Sequence, residues 1–443
     1  MENIQRSENH LSSEIRHKKE QKYFNLYFFR LSLFQANLCF AFIAIAGIVG
    51  QTVSLPLWLS ASQSKHKGLI NANTTSPSPN YAAKMDAYFV LSFASLSFVV
   101  IFGLMYAILV YFYPHFFGPA ERRFPHKLLF AIGLCDALNG ALVVFASPPS
   151  RTAPYLQAIL GNFSIPLTIL ARFIILKKKP TQRKFVCGMM ILMSLFICML
   201  PSIFPKQLDP YKKHEEGQGA SGIAGVLWPL CFMFGFAPGT LMYVIEEKVL
   251  KMQDSQSLQR INIVYFLFWQ SVYQLFSVLL MFWVDVIPGY GFTSSFEQFG
   301  KNWWFGLQCF FGSAGCDSDP GARGTMFILM YVLAYVGGGL LMRYTEGATL
   351  LSIVFSLVTP LGFLFWTLFK PEPFGFSPAV HVSTYYSIGA LVIMVPAIYF
   401  YNTGAPEMDM SKHGRQEYLC ASNPSDYHTL GEQDPLVIID KNL

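Results

Sequence analysis

A carboxylate stands inside the third apolar segment of the chain. Asp136 is flanked by Leu134-Cys135 and Ala137-Leu138, and Asn139 follows three residues later. On a helix this spacing brings both polar side chains to one face. A charge at the centre of a membrane helix costs at least about 2.5–3.5 kcal/mol to insert, so such groups usually bind protons, ions or substrates. We therefore predict that Asp136 binds a proton or a cationic substrate group; helix capping or pairing with Arg172 is the structural alternative.

Uncharged polar side chains in other apolar segments could complete a site with Asp136. They are Gln157, Asn162, Ser164, Gln274 and Thr359. These groups form hydrogen bonds but are neither a metal-binding set nor an activated nucleophile. The sequence contains no His-Glu-x-x-His, Gly-x-Ser-x-Gly or Gly-x-x-x-x-Gly-Lys motif, so we predict no enzyme, no metal and no cofactor. Glu246 and Glu247, at the end of the sixth segment, are interpreted as solvated beside Lys248.

Membrane-spanning helices must position these residues. The chain is 53% hydrophobic and only 13% charged, whereas soluble domains carry about 25% charged residues. A bilayer core needs roughly 20 apolar residues of helix, and ten segments meet this length. We predict spans at about 31–55, 87–113, 128–146, 154–176, 185–204, 223–245, 261–284, 325–342, 348–369 and 382–401. The fold class predicted is therefore an all-α polytopic membrane protein.

The fourth and ninth segments look alike. Each has a proline in mid-span with a hydroxyl residue shortly before it, as Ser164 precedes Pro166 and Thr359 precedes Pro360. Interrupted helices at matching positions of two halves are the best sequence indication of a transport site. We predict helix breaks at both prolines and two related halves of five helices each; the alternative is that two membrane helices each happen to contain a proline.

The polar segments complete the predicted organisation. We predict an N-terminal tail at 1–30, a first half at 31–205, a linker at 206–222, a second half at 223–401 with an outer loop at 286–324, and a disordered tail at 402–443. With both termini cytosolic, most of the 32 lysines and arginines lie on the cytosolic side, as the positive-inside rule requires. The net charge of +6 then reflects topology, and no basic domain indicates nucleic-acid binding.

Several minor signals agree with this topology. Asn73 begins an Asn-Thr-Thr glycosylation sequon in the first outer loop. Cys309 and Cys316 lie in the outer loop, where oxidising conditions would favour a disulfide, although two free cysteines are the alternative. Asp285 lies at an outer helix end. In the C-terminal tail, Tyr427 and Leu430 form a tyrosine-x-x-leucine signal of the kind that endolysosomal adaptor proteins bind.

The chain resembles the chloroquine-resistance-transporter-like family of the drug/metabolite transporter superfamily over about residues 31–401. The segments that carry the resemblance are Leu134-Cys135-Asp136-Ala137, Leu156-Gln157, Asn162-Phe163-Ser164-Ile165-Pro166, Tyr273-Gln274-Leu275-Phe276 and the loop around Cys309 and Cys316. The resemblance implies ten helices in two inverted five-helix repeats around a central cavity, with Asp136, Gln157 and Asn162 lining it. Asn162 replaces an expected second glutamine. The eighth segment has tyrosine and glycines in place of an expected acidic residue, which puts cationic-drug transport in doubt.

By this resemblance the protein is a secondary transporter that exports small organic solutes from an acidic compartment to the cytosol. The expected solutes are amino acids, small peptides or related cationic compounds. Proton coupling and a lysosomal or vacuolar membrane are expected, with adaptor proteins as partners at the tails. Two alternatives remain open. An exchanger of glutathione, nucleotide sugars or other metabolites would share the fold, and a non-transporting membrane scaffold would have its cavity filled with apolar side chains.

Overall fold

The computed structural model describes most of the membrane region. The described residues are 23–26, 29–63, 84–118, 121, 124–208, 219–254, 261–313, 316, 319–344, 348–371, 374–378, 382–403 and 408–409. Asn73, Tyr427 and Leu430 lie outside the described residues, as do residues 1–22, most of the predicted linker and nearly all of the C-terminal tail. The predictions made for those segments stay predictions.

The described chain is mostly helical. Its α-helices are α1 (Leu33–Gln63), α2 (Ala87–Phe112), α3 (His126–Ala146), α4 (Pro154–Leu160), α5 (Ser164–Leu176), α6 (Gln182–Ile203), α7 (Pro205–Leu208), α8 (Ala224–Asp254), α9 (Ile263–Leu280), α10 (Phe296–Phe310), α11 (Pro320–Tyr344), α12 (Ala348–Leu368) and α13 (Val382–Asn402). Three 3₁₀ turns span Pro114–Phe116, Gly161–Phe163 and Phe282–Val286.

Short strands form three antiparallel pairs outside the helices. They are β1 (Tyr23–Leu26), β2 (Phe29–Ser32), β3 (Lys178–Lys179), β4 (Phe369–Pro371), β5 (Phe374–Phe376) and β6 (Met408–Asp409). β1 pairs with β2, β3 with β6 and β4 with β5. The all-α class is therefore confirmed for the helical body, with these pairs as additions at its ends.

Eight helical segments among the described residues are long and apolar enough to cross a membrane. They lie in α1, α2, α3, the α4–α5 segment, α6, α8, α9 with the 3₁₀ turn that follows it, and α13. α11 and α12 occupy the positions of the predicted eighth and ninth spans. Ten membrane crossings and an inverted repeat therefore remain predictions, whereas a polytopic helical membrane protein is supported.

The two predicted proline breaks have different outcomes. The fourth segment is interrupted, because the 3₁₀ turn Gly161–Phe163 separates α4 from α5 shortly before Pro166. Proline has no N–H and its ring crowds the carbonyl four residues earlier, here that of Asn162. The break predicted at Pro360 is wrong, since α12 is continuous through that residue. Membrane helices tolerate proline where neighbouring groups satisfy the freed backbone, and α1, α6, α8 and α13 also contain prolines.

Small residues allow the helices to approach closely. α1 packs against α11, α3 against α8 and α9, α2 against α9, α4 against α12, and α6 against α13. A Cβ atom added at Gly337 of α11 would lie 2.6 Å from the backbone nitrogen of Ala44 in α1. A Cβ added at Gly133 of α3 would lie 2.7 Å from the backbone nitrogen of Gln274 in α9. Close packing at small residues is typical of membrane helix interfaces.

Candidate functional site

The centre of the helical bundle contains a buried carboxylate. Asp136 is 4% exposed on α3, and the Gln270 side chain of α9 lies beside it and interacts with it. Gln270 is 2% exposed, its amide nitrogen lies 3.5 Å from the Met242 sulfur, and its amide oxygen has no hydrogen-bond partner among the described groups. An unpaired buried acceptor carries a desolvation penalty of about 1–3 kcal/mol, so this oxygen is available to a donor from a bound solute or water.

A second carboxylate and three tyrosines surround this position. Glu246 of α8 and the hydroxyls of Tyr243, Tyr331 and Tyr335 all interact electrostatically with Asp136. The Tyr331 and Tyr335 hydroxyls lie 3.4 Å apart. Tyr243 is 57% exposed and Glu246 is partly exposed, so this group borders open space and is not sealed. We call these residues, with Asp136 and Gln270, the chamber cluster.

The interpretation of Glu246 as a helix end is corrected by the structure, whereas its carboxylate is partly exposed. The sequence predicted that the sixth segment ends near residue 245, whereas α8 continues to Asp254. Glu246 therefore lies within the helix, and its carboxylate is near Asp136. The adjacent charges at Glu247 and Lys248 suggested a helix end facing water, and this local pattern concealed the inward direction of Glu246.

Asn139 joins α3 to α8. Its amide nitrogen donates to the Gly235 carbonyl at 2.8 Å, and a Cβ added at Gly239 would lie 3.0 Å from the same nitrogen. The two glycines thus make room for the amide between the helices. Asn139 is one turn from Asp136 as predicted, and its described contact is to the backbone of α8.

Gln157 lies away from the chamber cluster. It is 4% exposed, and its amide nitrogen donates to the carbonyls of Ser147 at 2.6 Å and Thr152 at 2.7 Å. These carbonyls belong to the turn between α3 and α4, so Gln157 holds that turn together. The resemblance placed Gln157 in the cavity lining, whereas its hydrogen bonds in the structure are to this turn.

Asn162 and Thr359 join the two proline-containing segments. The Asn162 amide donates to the Thr359 hydroxyl at 2.7 Å and to the Ile159 carbonyl at 3.0 Å. Asn162 is 9% exposed and Thr359 3%. The fourth and ninth segments therefore touch through Asn162 and Thr359, a contact that the sequence analysis did not predict. Ser164 begins α5, and its carbonyl accepts from the Thr168 hydroxyl at 2.7 Å.

Gln274 lies on α9 one turn beyond Gln270 and is 5% exposed. Its backbone contacts Gly133 of α3, one turn before Asp136. The structure therefore brings Gln274 to the α3–α9 interface beside the chamber cluster. Gln270, which the sequence analysis missed, could have been found from its i, i+4 relation to Gln274, because residues four apart share a helix face.

Comparison with known proteins gives the family. A family model described as CRT-like, chloroquine-resistance transporter-like, matches residues 69–396. The chain belongs to the CRT-like family. The resemblance read from the sequence is confirmed, and the protein is a multi-pass membrane protein of a transporter family.

Two relatives come from Dictyostelium discoideum. The CRT-like chain is 25% identical to Crt homolog 1 over 347 residues, which cover 72% of this chain and 68% of the relative. It is 25% identical to Crt homolog 3 over 272 residues, 56% of this chain and 52% of the relative. The matched regions thus span about two thirds of the first relative and about half of the second.

The end of the bundle beside α10 has a covalent link. Cys309 and Cys316 form a disulfide that joins the end of α10 to the segment leading into α11. α10 packs on α2, since the Trp303 indole donates to the Ser92 hydroxyl at 2.9 Å. Among the described residues, no group of three or more His, Cys, Asp or Glu side chains could hold a metal ion.

Proposed function

We propose that this CRT-like protein is a secondary active transporter. It exports small organic solutes, such as amino acids or small peptides, from an acidic endomembrane compartment to the cytosol together with protons. The observation that carries the proposal is the chamber cluster, in which the Asp136 and Glu246 carboxylates of two different helices interact electrostatically. The expected lysosomal or vacuolar location, with both termini cytosolic, belongs to the same proposal.

The charges of the chamber cluster support proton or ammonium binding. Two carboxylates in a poorly solvated interior are costly when both are ionised and unpaired. A proton or a substrate ammonium group at Asp136 and Glu246 would neutralise one of them. The hydroxyl oxygens of Tyr331 and Tyr335 and the Gln270 oxygen, which has no partner among the described groups, would accept hydrogen bonds from a cationic group.

The helix packing supports two inverted repeats. In such a repeat α1 corresponds to α8 and α3 to α11, so the α1–α11 contact and the α3–α8 contact are equivalent. α2 corresponds to α9, and α6 to α13, and each of these helices packs against its counterpart. The contact between the fourth and ninth segments, through Asn162 and Thr359, follows the same rule. This arrangement would place the chamber cluster at the interface between the two repeats, where transport sites are found.

A reconstituted system tests the function. Purified protein in liposomes would be screened with amino acids, dipeptides and thiol tripeptides, with and without an imposed pH gradient. We expect gradient-driven uptake to fall about tenfold or more in Asp136→Asn, because losing a charged interaction of about 1.5–3 kcal/mol changes an equilibrium by at least that factor. Glu297→Gln is the matched control, since Glu297 is an exposed carboxylate paired with Lys301.

The other outcomes separate the alternatives. Unchanged coupled uptake in Asp136→Asn would remove Asp136 from the mechanism. If Asp136→Asn still exchanges substrate at equal pH on both sides, Asp136 binds the proton and not the substrate. Trans-stimulation by a nucleotide sugar or by glutathione would favour an exchanger. Liposomes that move none of these solutes would favour a scaffold.

A further inference from the structure

Two more aspartates meet at the end of the bundle beside α10. Asp86 caps α2, with one carboxylate oxygen accepting from the Phe89 backbone nitrogen at 2.9 Å, and it is 4% exposed. Asp285 lies in the 3₁₀ turn after α9, accepts from the Phe292 backbone nitrogen at 3.2 Å, and is 0% exposed. The sequence placed Asp285 at a helix end, but it is fully buried. The second oxygen of each carboxyl group has no hydrogen-bond partner among the described groups, and the two groups interact with each other.

The two aspartates also contact α10 and the loop that precedes it. Asn302 of α10 is 0% exposed, its side chain interacts with Asp86, and its oxygen accepts from the Lys84 backbone nitrogen at 3.1 Å. The Asp285 carbonyl accepts from the backbone nitrogen and the hydroxyl of Thr293, at 3.1 and 3.0 Å. Contacts from α2, the turn after α9 and α10 thus converge on this pair.

One buried cation faces the pair. The Arg151 guanidinium interacts with Asp285 but is held between the rings of Trp228 and Phe292, each 3.9 Å away. It donates to the Phe145 carbonyl at 2.7 Å. Burial lowers the pKa of Arg151 to about 10, so it stays charged at neutral pH.

The other titratable groups nearby do not add a positive charge. Tyr88 interacts with both carboxyl groups, and Tyr290 faces Arg151. On α10, Glu297 and Lys301 pair with each other at 2.6 Å on the exposed side. Among the residues that the structure describes here, one buried cation and two buried carboxyl groups therefore leave a deficit of one positive charge, and a single proton removes it.

We propose that Asp86 and Asp285 bind one proton between their unpaired oxygens, and that this shared proton holds α10 against the ends of α2 and α9. The pair is separate from the chamber cluster, because the fifteen positions from Gln270 to Asp285 correspond to roughly 20 Å of helix. Burial and the neighbouring Asp285 charge raise the pKa of Asp86 above its usual range. A carboxyl pair that shares one proton is a known consequence of two like charges in one site.

The proposal has a defined pH dependence. When α10 leaves the pair, both carboxyl groups meet water and regain ordinary pKa values near 4. The closed form therefore binds one more proton than the open form at pH values above this range. The opening equilibrium then rises about tenfold per pH unit, until the closed pair also loses its proton.

Hydrogen exchange of the full chain in lipid nanodiscs tests this inference without any transport substrate. Amide protection would be measured by mass spectrometry between pH 5.5 and 8, corrected for intrinsic exchange. We expect protection in residues 282–310 to fall about tenfold per pH unit, with α6 and α13 unchanged. In Asp86→Asn the new amide can donate to Asp285 without a proton, so protection in this segment should stay high at all pH values. Asp285→Asn should behave in the same way.

The control is Glu297→Gln, which should keep the pH dependence of the wild-type protein. Wild-type protection in residues 282–310 that does not change with pH would overturn the inference, whether or not the variants fold. Retained pH dependence in Asp86→Asn would also overturn it. Protection restored at pH 8 by added Ca²⁺ or Mg²⁺ would assign the pair to a metal cation instead. None of these outcomes depends on the transport assay.

Discussion

Replacing Gly133 by alanine tests how the chamber cluster is held. The new Cβ would lie 2.7 Å from the Gln274 backbone nitrogen and 2.7 Å from Tyr273 Cβ, whereas ordinary contact begins at 3.4 Å. Because a helix backbone cannot rotate away like a side chain, α3 and α9 must separate by at least ~0.7 Å. Overpacking of this kind costs about 1–3 kcal/mol, and the helix propensity gained from alanine returns about 1 kcal/mol. We expect a net loss of up to about 2 kcal/mol in stability.

The separation should also reduce transport. Asp136 and Gln270 each lie about one turn from the Gly133–Gln274 contact, so the shift lengthens the interaction between them, and hydrogen bonds weaken steeply with distance and angle. Gly389→Ala is the matched control, because no atom lies within 4 Å of its added Cβ and α13 should gain stability. The assays are thermal unfolding in detergent followed by tryptophan fluorescence, and liposome uptake. A Gly133→Ala protein as stable and active as the wild type would refute the close α3–α9 contact.

Two further substitutions test structural roles at the turn between α3 and α4. Gln157→Leu removes the donor to the buried carbonyls of Ser147 and Thr152, which should lower the free energy of unfolding by about 1–3 kcal/mol. The solute affinity of the folded protein should stay unchanged. A changed affinity would show that Gln157 belongs to the binding site. Arg151→Lys keeps the charge but loses the planar group stacked between Trp228 and Phe292. We therefore expect the free energy of unfolding to fall by about 1–2 kcal/mol in the same assay. Equal stability would show that only the charge at this position matters.

Hydrophobic segment length predicted the helices of this protein well. The bilayer imposes one length and one secondary structure on each span, so runs of apolar residues locate α2, α3 and α6 to within a few residues. The same rule failed at the end of α8, where Glu246 and the charges after it suggested a helix end. A helix can extend beyond the apolar core without any change in residue pattern, and composition alone does not show where it stops.

The partners of polar side chains could not be predicted in the same way. Asp136 was found because a membrane carboxylate is rare and costly. Gln157 and Gln270 are chemically equivalent in the sequence, but one holds the turn before α4 and the other lies beside Asp136. The difference depends on which helices become neighbours. The Asp86–Asp285 pair likewise joins residues far apart in the chain, and no local spacing indicates it.

The division of the chamber cluster between helix pairs limits how the transporter could work. Its carboxylates come from α3 and α8, which are joined through the Asn139–Gly235 bond, whereas Tyr331 and Tyr335 come from α11, which packs closely on α1. If each pair moves as a unit, rocking between the pairs leaves the distance from Asp136 to Glu246 unchanged and alters their distance to the tyrosines. The repulsion between the carboxylates then stays constant through the cycle. The rocking instead changes how far the tyrosines shield the two carboxylates from water. The bound proton or solute would therefore be released when the carboxylates become accessible to water on one side of the membrane.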